Sequence, residues 1–160
     1  MPNRKLWLLM TMALTAGAVP VAAQKPAVKT LTTQDQAEIQ QLYARYNLAI
    51  DAGDSEGYAA TFTPDGVFND NVGPDAIVKF ADTFHAGLGA HVRHWNSNLM
   101  ILPTDGGASG QVYLMLIDFA TAPPSIAASG SYADELVRTA QGWRFKKRAV
   151  RIDTKPTKPN

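Results

Sequence analysis

The spacing of apolar residues changes partway along the chain, and this change constrains the fold more than any other feature. Before about residue 90, apolar side chains recur three and four positions apart, which is typical of amphipathic helices. Beyond it, runs that alternate apolar and polar residues are separated by turn residues, which is typical of antiparallel strands. The pattern predicts an α+β fold in which three N-terminal helices pack on a curved antiparallel sheet and leave an enclosed pocket.

Local signals predict where the three helices begin and end. Thr33 and Gln36 have the spacing of a capping box at the start of the first helix, and Gly53 is expected to end it. Asp54 is expected to cap a short second helix, and Pro74 suits the first turn of a third. The helices therefore occupy the first half of the domain.

Turn residues divide the rest of the domain into strands. Thr63–Gly66 has the composition of a turn and precedes a short strand at Val67 and Phe68. Longer strands are expected at 92–102, 111–120, 127–138 and 143–152. The short turns between these four strands predict an antiparallel meander.

The first 23 residues are predicted to be a signal peptide. Arg4 and Lys5 supply the positive charge, residues 6–16 are almost wholly apolar, and small residues precede a cleavage site before Gln24. The apolar run is shorter than the roughly 20 residues that a membrane-spanning helix needs. No lipid-acceptor cysteine follows it. We therefore expect an exported protein, periplasmic or secreted, with no membrane anchor after cleavage.

Composition limits the partners of the remaining chain. The whole sequence has 15 Lys and Arg and 14 Asp and Glu, and two of the basic residues lie in the leader, so the expected mature protein has a net charge of −1. This balance argues against nucleic acid as a partner. The Lys and Arg residues of 144–151 alternate with apolar residues and are interpreted as a solvated strand face. We expect a linker at 24–31, one domain at 32–153 and a disordered tail at 154–160.

Several motifs together resemble the SnoaL-like branch of the nuclear transport factor 2-like superfamily. They are LYARY at 42–46, AIDAGD at 49–54, FTPDGVF at 62–68, HWNSN at 94–98, and GWRF at 142–145 with Arg148. The resemblance covers about residues 32–153 and implies the cone-shaped fold. It leaves function open, because similar proteins include polyketide cyclases, scytalone dehydratase, ketosteroid isomerase and limonene epoxide hydrolase, while others only bind ligands or proteins.

Asp51 and His94 are the candidate catalytic residues. Asp51 lies near the C-terminal end of the first helix, where the helix dipole disfavours a carboxylate, which suggests a local partner or a use. The resemblance implies that a histidine at the place of His94 points into the pocket and pairs with the helix acid. The carboxylate would fix the imidazole tautomer, and the ring would move a proton. A solvated aspartate and a structural histidine are the alternatives.

The candidate substrate-binding residues are Tyr46, Asn98, Asp118 and Tyr132. Tyr46 lies on the inner stripe of the first helix. Alternation along the strand places Asn98 and Met100 on the face of His94. Asn98 either binds a substrate carbonyl or satisfies the backbone at a bend.

The remaining positions are assigned by the same alternation. Asp118 is expected on the inner face of its strand, at a place where the resemblance implies a second histidine. Tyr132 and Asp134 are expected to line the mouth of the pocket. Trp95 alternates away from His94 and is expected to pack against a helix.

We expect neither a metal nor a cofactor. His91 and His94 are three positions apart, which puts them on opposite faces of a regular strand, and the sequence has no phosphate-binding loop, nucleophile elbow or cysteine. Three functions stay open. They are a cofactor-free acid–base enzyme of isomerase, dehydratase or cyclase type, a non-catalytic module that binds a small, largely apolar molecule, and a protein-interaction domain that forms a homodimer through its open sheet face.

Overall fold

The structure is a computed structural model that describes residues 30–153, so the expected signal peptide, most of the expected linker and the expected tail lie outside the described residues. Three helices come first, α1 at Thr33–Ala52, α2 at Ser55–Ala59 and α3 at Pro74–Ala86. A single 3-10 turn at Gly89–His91 leads into the main part of the sheet. Among the helices of this described region, none combines the length and the apolar character needed to span a membrane.

Six strands form one sheet. They are β1 at Phe62–Phe68, β2 at Asn71–Val72, β3 at Val92–Thr104, β4 at Gly107–Asp118, β5 at Ser125–Thr139 and β6 at Gly142–Ile152. Their order is β2-β1-β6-β5-β4-β3, and only β1 and β6 run parallel. The predicted α+β class is confirmed, and the sheet is mixed but mostly antiparallel.

The start of α1 differs from its prediction by one residue. Thr32 is the N-cap, and its hydroxyl oxygen accepts a hydrogen bond from the backbone N–H of Asp35 at 3.1 Å. The Asp35 carboxylate accepts the backbone N–H of Thr32 in return. The capping box therefore uses Asp35 rather than Gln36, since a carboxylate is the stronger acceptor. The end of α1 is confirmed, with Gly53 in the left-handed region at φ 72°.

The segment Thr63–Gly66 is not a free turn. It lies within β1, where the pairing with β6 runs from Phe62 opposite Phe145 to Val67 opposite Lys147. Between these two pairs β1 advances by five residues and β6 by only two, so the extra residues of β1 form an irregular bulge in the strand. The prediction of a turn followed by a two-residue strand is wrong for this reason.

The helices cover one face of the sheet and leave the other open. Between the covered face and the helices, Ile39 and Leu42 of α1 and Phe145 of β6 are fully buried in one core. On the open face, the side chain of Trp95 is 63% exposed. The prediction that Trp95 packs against a helix is wrong, because the helices lie on the opposite face.

Candidate active site

The structure brings Asp51 and His94 together. Asp51 lies in the last turn of α1 and His94 near the start of β3, and the Nδ1 atom of His94 is 2.6 Å from Oδ1 of Asp51. The backbone N–H of His94 also donates to Oδ2 of Asp51 at 3.1 Å. Both side chains are nearly buried, with 5% of His94 and 10% of Asp51 exposed.

This contact defines the tautomer of the histidine. Asp51 already accepts the backbone N–H, so its carboxylate acts as an acceptor and Nδ1 of His94 acts as the donor. The neutral ring then presents Nε2 as an acceptor. No group within residues 30–153 forms a hydrogen bond to Nε2. The ring of Phe84, with its centroid 5.7 Å away, packs against the imidazole.

His94 lines a cavity of about 240 Å³ between the helices and the sheet. The aromatic lining residues are Tyr46, Tyr58, Phe68, Phe80, Phe84 and Tyr132, and the aliphatic ones are Ile50, Leu114, Leu116, Val150 and Ile152. Asn69 and His94 complete the wall. Asp51 does not line the cavity itself but contacts His94, which does. An apolar cavity with few polar atoms is typical of a small-molecule site.

Tyrosine residues lie at the inner end of this cavity. Tyr46 lines it as predicted, and its hydroxyl oxygen lies 2.7 Å from that of Tyr58. Tyr132 also lines the cavity but is 97% buried, so the prediction that it lies at the pocket mouth is wrong. Its strand, β5, is central in the sheet, which places Tyr132 beneath the helices. Tyr58 was not predicted as a site residue, because its spacing in α2 is equally that of a core residue.

A buried ion pair lies beside the tyrosines. The Arg148 guanidinium donates to both carboxylate oxygens of Asp134 at 2.8 Å, and the hydroxyl of Tyr43 donates to the same carboxylate. Burial alone would lower the pKa of Arg148, but Asp134 raises it above its usual range. Burial, and next the Asp134 charge, raise the pKa of Tyr43. The guanidinium thus stays charged in the core, and the side chain of Asp134 is buried there as well.

The Arg148 guanidinium is surrounded by aromatic rings. Its carbon lies 4.0 to 4.7 Å from the ring centroids of Tyr43, Tyr46, Tyr132 and Phe145. The interpretation of the basic residues in 144–151 as a solvated face is wrong for Arg148, which is fully buried. An irregularity in the pairing of β5 with β6 precedes this residue and changes which face it occupies.

Asn98 and Met100 do not share the face of His94. The pairing of β3 with β4 shifts between Ser97 and Met100, and Asn98 adopts φ 58° there. The bulge turns both side chains to the open face of the sheet, where they line a separate depression together with Tyr113. The predicted alternation is wrong beyond Ser97. Asn98 therefore lies at a bend in the strand, which is the second of the two interpretations that the sequence allowed. Its backbone conformation is one that asparagine tolerates well.

Asp118 lies at the end of β4 and is not part of the cavity wall. Its carboxylate accepts the backbone N–H of Ala120 at 2.8 Å, which caps the turn that follows. Asp118 is the last residue of β4 and is not among the residues that line the cavity. In the described part of the chain, no three His, Asp or Glu side chains cluster in a way that suits a metal ion.

Known proteins resemble this chain in sequence and structure. A family model described as a SnoaL-like domain matches residues 32–149. A protein of unknown function from Mycobacterium tuberculosis is 32% identical, with a TM-score of 0.70 and coverage of 78% of this chain and 80% of that one. A protein from Catenulispora acidiphila, solved in complex with S-DNPA, is 32% identical, with a TM-score of 0.68 and coverage of 76% and 95%.

The fold itself is also found in more distant proteins. An NTF2-like protein with a cystatin-like fold from Novosphingobium aromaticivorans is 22% identical, with a TM-score of 0.66 and coverage of 73% of this chain and 80% of that one. This likeness concerns the fold alone. Among curated protein sequences, none matches the chain significantly.

Proposed function

This chain belongs to the SnoaL-like domain family, and we propose that it binds a small, largely apolar carbonyl compound and transfers a proton on it without a cofactor. One observation supports this most strongly. The Nε2 atom of His94, whose ring is held by Asp51, is an unpaired acceptor among the described residues and belongs to a cavity wall that is otherwise almost entirely apolar. A base in the wall of an apolar cavity suits proton abstraction from a bound carbonyl compound.

The proposed reaction conserves protons and electrons. Nε2 of His94 takes a proton from the carbon beside the carbonyl group, and the electron pair of that C–H bond forms the double bond of an enolate. Asp51 stabilises the imidazolium that results. The imidazolium then returns the proton. If the imidazolium first exchanges its Nε2 hydrogen with solvent, return to the same carbon gives hydrogen exchange, and return to another carbon gives isomerisation. Dehydration and cyclisation begin with the same abstraction.

A non-catalytic binding module is the second candidate. The relative from Catenulispora acidiphila was solved with a bound small molecule, S-DNPA, and shares 32% of its residues with this chain. The cavity described above has the apolar lining that suits a small ligand. In this case the Asp51–His94 pair would orient the ligand without moving a proton.

A homodimer formed through the open sheet face is the third candidate. Large apolar side chains are exposed on that face, including Trp95, Met100, Leu102 and Tyr113. Contiguous exposed apolar surface marks interaction sites. Analytical ultracentrifugation of the wild type and of Tyr113→Lys tests this, since a dimer through this face should dissociate in the variant.

We also propose that the protein acts outside the cytoplasm. The supporting observation is the order of charged, apolar and small residues in the leader. Mass spectrometry of protein recovered from the periplasm or the medium tests it. Loss of residues 1–23 is the expected result, and an intact N-terminus in the cytoplasmic fraction would contradict it.

Deuterium exchange of 2-tetralone tests the catalytic proposal. This ketone has benzylic hydrogens beside its carbonyl group, and NMR in D₂O follows their replacement. The wild type should exchange them faster than buffer, and His94→Gln should not. His91→Gln is the matched control, because His91 is an exposed residue outside the cavity. Binding without accelerated exchange would favour the second candidate, and the absence of binding would contradict both.

A further inference from the structure

A second polar contact joins α1 to β3, one helical turn before the contact of Asp51 with His94. The side chain of Asn47 donates from Nδ2 to Oδ1 of Asn96 at 2.7 Å. Asn47 precedes Asp51 by four residues, and Asn96 follows His94 by two. Four residues of a helix rise by about 6 Å and two residues of a strand by about 6.7 Å, so the two contacts have matching spacing on both elements. The helix and the strand are therefore joined at two points.

A backbone carbonyl group of β4 defines the orientation of both amides. Nδ2 of Asn96 donates to the carbonyl oxygen of Tyr113 at 3.2 Å, and a carbonyl oxygen can only accept. Oδ1 of Asn96 therefore faces Asn47 and accepts its hydrogen bond. Tyr113 pairs with Ser97, after which the pairing of β3 with β4 shifts. The two amides thus connect α1, β3 and β4 at the last regular pair before the bulge.

One polar atom of Asn47 has no partner among the described residues. Its Oδ1 is buried and forms no hydrogen bond within 30–153. An unpaired buried acceptor costs free energy, whereas two apolar side chains of similar shape would avoid this cost. Apolar contact has no direction, so a pair of leucines would pack α1 against β3 without defining one rotation of the helix. The amide pair contributes a defined geometry instead.

We propose that Asn47 and Asn96 are positioning residues for His94. The hydrogen bonds that Asp51 accepts from β3 all come from His94, so by themselves they leave α1 free to tilt about that residue. The amide pair, one turn away, removes this freedom and keeps Nε2 of His94 directed at the cavity. The catalytic consequence rests on the proposed function, because a base must be held in line with the hydrogen that it removes.

Proton NMR of the ligand-free wild type tests the geometry without any substitution. The Nδ2 hydrogen that Asn47 donates to Asn96 should exchange with D₂O more slowly than the side-chain amide hydrogens of Gln40. Gln40 is an exposed residue of the same helix and serves as the reference. Equal exchange in the two side chains would show that the contact is absent in solution, and the inference would fail.

The double variant Asn47→Leu with Asn96→Leu separates positioning from stability. Its urea midpoint should equal or exceed that of the wild type, because the unpaired Oδ1 is removed together with both amides. The Hδ1 resonance of His94, which the contact with Asp51 moves downfield, should nevertheless move upfield. The kcat for hydrogen exchange of 2-tetralone should fall about tenfold or more with KM nearly unchanged, because the residues that line the cavity are kept. Gln40→Leu is the matched control and should change none of these quantities.

Two results would overturn the positioning role. One is a double variant that keeps both the Hδ1 resonance of His94 and the rate of the wild type. The other is a loss of activity that a fall in the urea midpoint fully explains, since the pair would then only stabilise the fold. If the double variant does not fold, the Hδ1 resonance in Asn47→Leu decides the question. If the wild type does not exchange 2-tetralone, the proposed function fails, and the same resonance still shows whether the amide pair positions His94.

Discussion

The carboxylate of Asp51 accepts both the backbone N–H and the ring Nδ1 of His94, at 3.1 Å and 2.6 Å. One side chain at the end of α1 thereby sets the position of the β3 backbone and the orientation of the imidazole that this strand presents. The donor state of Nδ1 follows from the same contact. The position and the orientation of the His94 ring therefore depend on Asp51, a residue that does not itself line the cavity.

Replacement of Asp51 by Asn should reduce the exchange of 2-tetralone. The amide keeps the shape of the side chain, but it cannot stabilise an imidazolium through its charge. It also cannot fix Nδ1 as the ring nitrogen that carries the hydrogen. We expect the rate above buffer to fall by about a hundredfold or more, with an unchanged circular dichroism spectrum. Asp70→Asn, in an exposed turn, is the control. An unaltered rate in Asp51→Asn would exclude the proton-transfer role.

Replacement of Arg148 by Met should lower the free energy of unfolding by about 3–5 kcal/mol, because Asp134 is left buried and unpaired. The double variant Arg148→Met with Asp134→Leu removes both charges and should recover much of that loss. Urea denaturation of the two single variants and the double variant measures this. Strictly additive losses would show that the two side chains do not stabilise the protein as a pair.

The stability contributed by Asp35 should depend on pH. Hydrogen bonds from the side chain and the backbone of Thr32, then from Trp143, lower the pKa of Asp35 to about 2, from an ordinary value of 3.8. Because the pKa of Asp35 is lower in the folded protein than in the unfolded chain, its carboxylate stabilises the folded state at pH values above the ordinary pKa of 3.8. This contribution is lost as the pH falls through about 2. The unfolding free energies of the wild type and Asp35→Asn should therefore differ at neutral pH and converge between about pH 4 and 2. Chemical denaturation across this range measures the difference, and a constant difference would contradict the assignment.

Substitutions of Asn98 should change stability rather than ligand binding. The residue adopts φ 58°, so Asn98→Val should destabilise the protein by about 1–2 kcal/mol, while Asn98→Gly should be well tolerated. Because Asn98 lies on the open face, the affinity for 2-tetralone should not change in Asn98→Gly. A loss of affinity in Asn98→Gly would contradict this and would support the alternative hypothesis that Asn98 binds a substrate carbonyl.

The sequence predicts the fold well because the fold depends on patterns that repeat. The three helices and the four long strands lie close to their predicted positions, since many residues contribute to each periodicity. Features that depend on a single residue carry a weaker signal in the sequence. Thr32 and Thr33 are adjacent and chemically equal, so the sequence predicts the N-cap one residue late. The bulge after Ser97 leaves no signal except an asparagine, which tolerates the backbone angle found there.

The candidate site was predicted in part. The pairing of Asp51 with His94 came from the resemblance together with the position of an acid at a helix end, and the structure places the two in contact. Arg148 and Tyr58 could not be identified, because their roles depend on which face of an irregular strand or short helix is turned inward. Alternation alone cannot give that information once a strand contains a bulge.

The most direct test of the central claim is a long-range ¹H–¹⁵N NMR spectrum of the His94 imidazole at neutral pH, with and without 2-tetralone. The Asp51 contact predicts a protonated Nδ1 and an unprotonated Nε2 whose resonance shifts when the ketone enters the cavity. Asp51→Asn should lose the preference for this tautomer. A ring whose Nε2 carries the hydrogen, or an Nε2 resonance that does not respond to bound ketone, would contradict the role of His94 as the base.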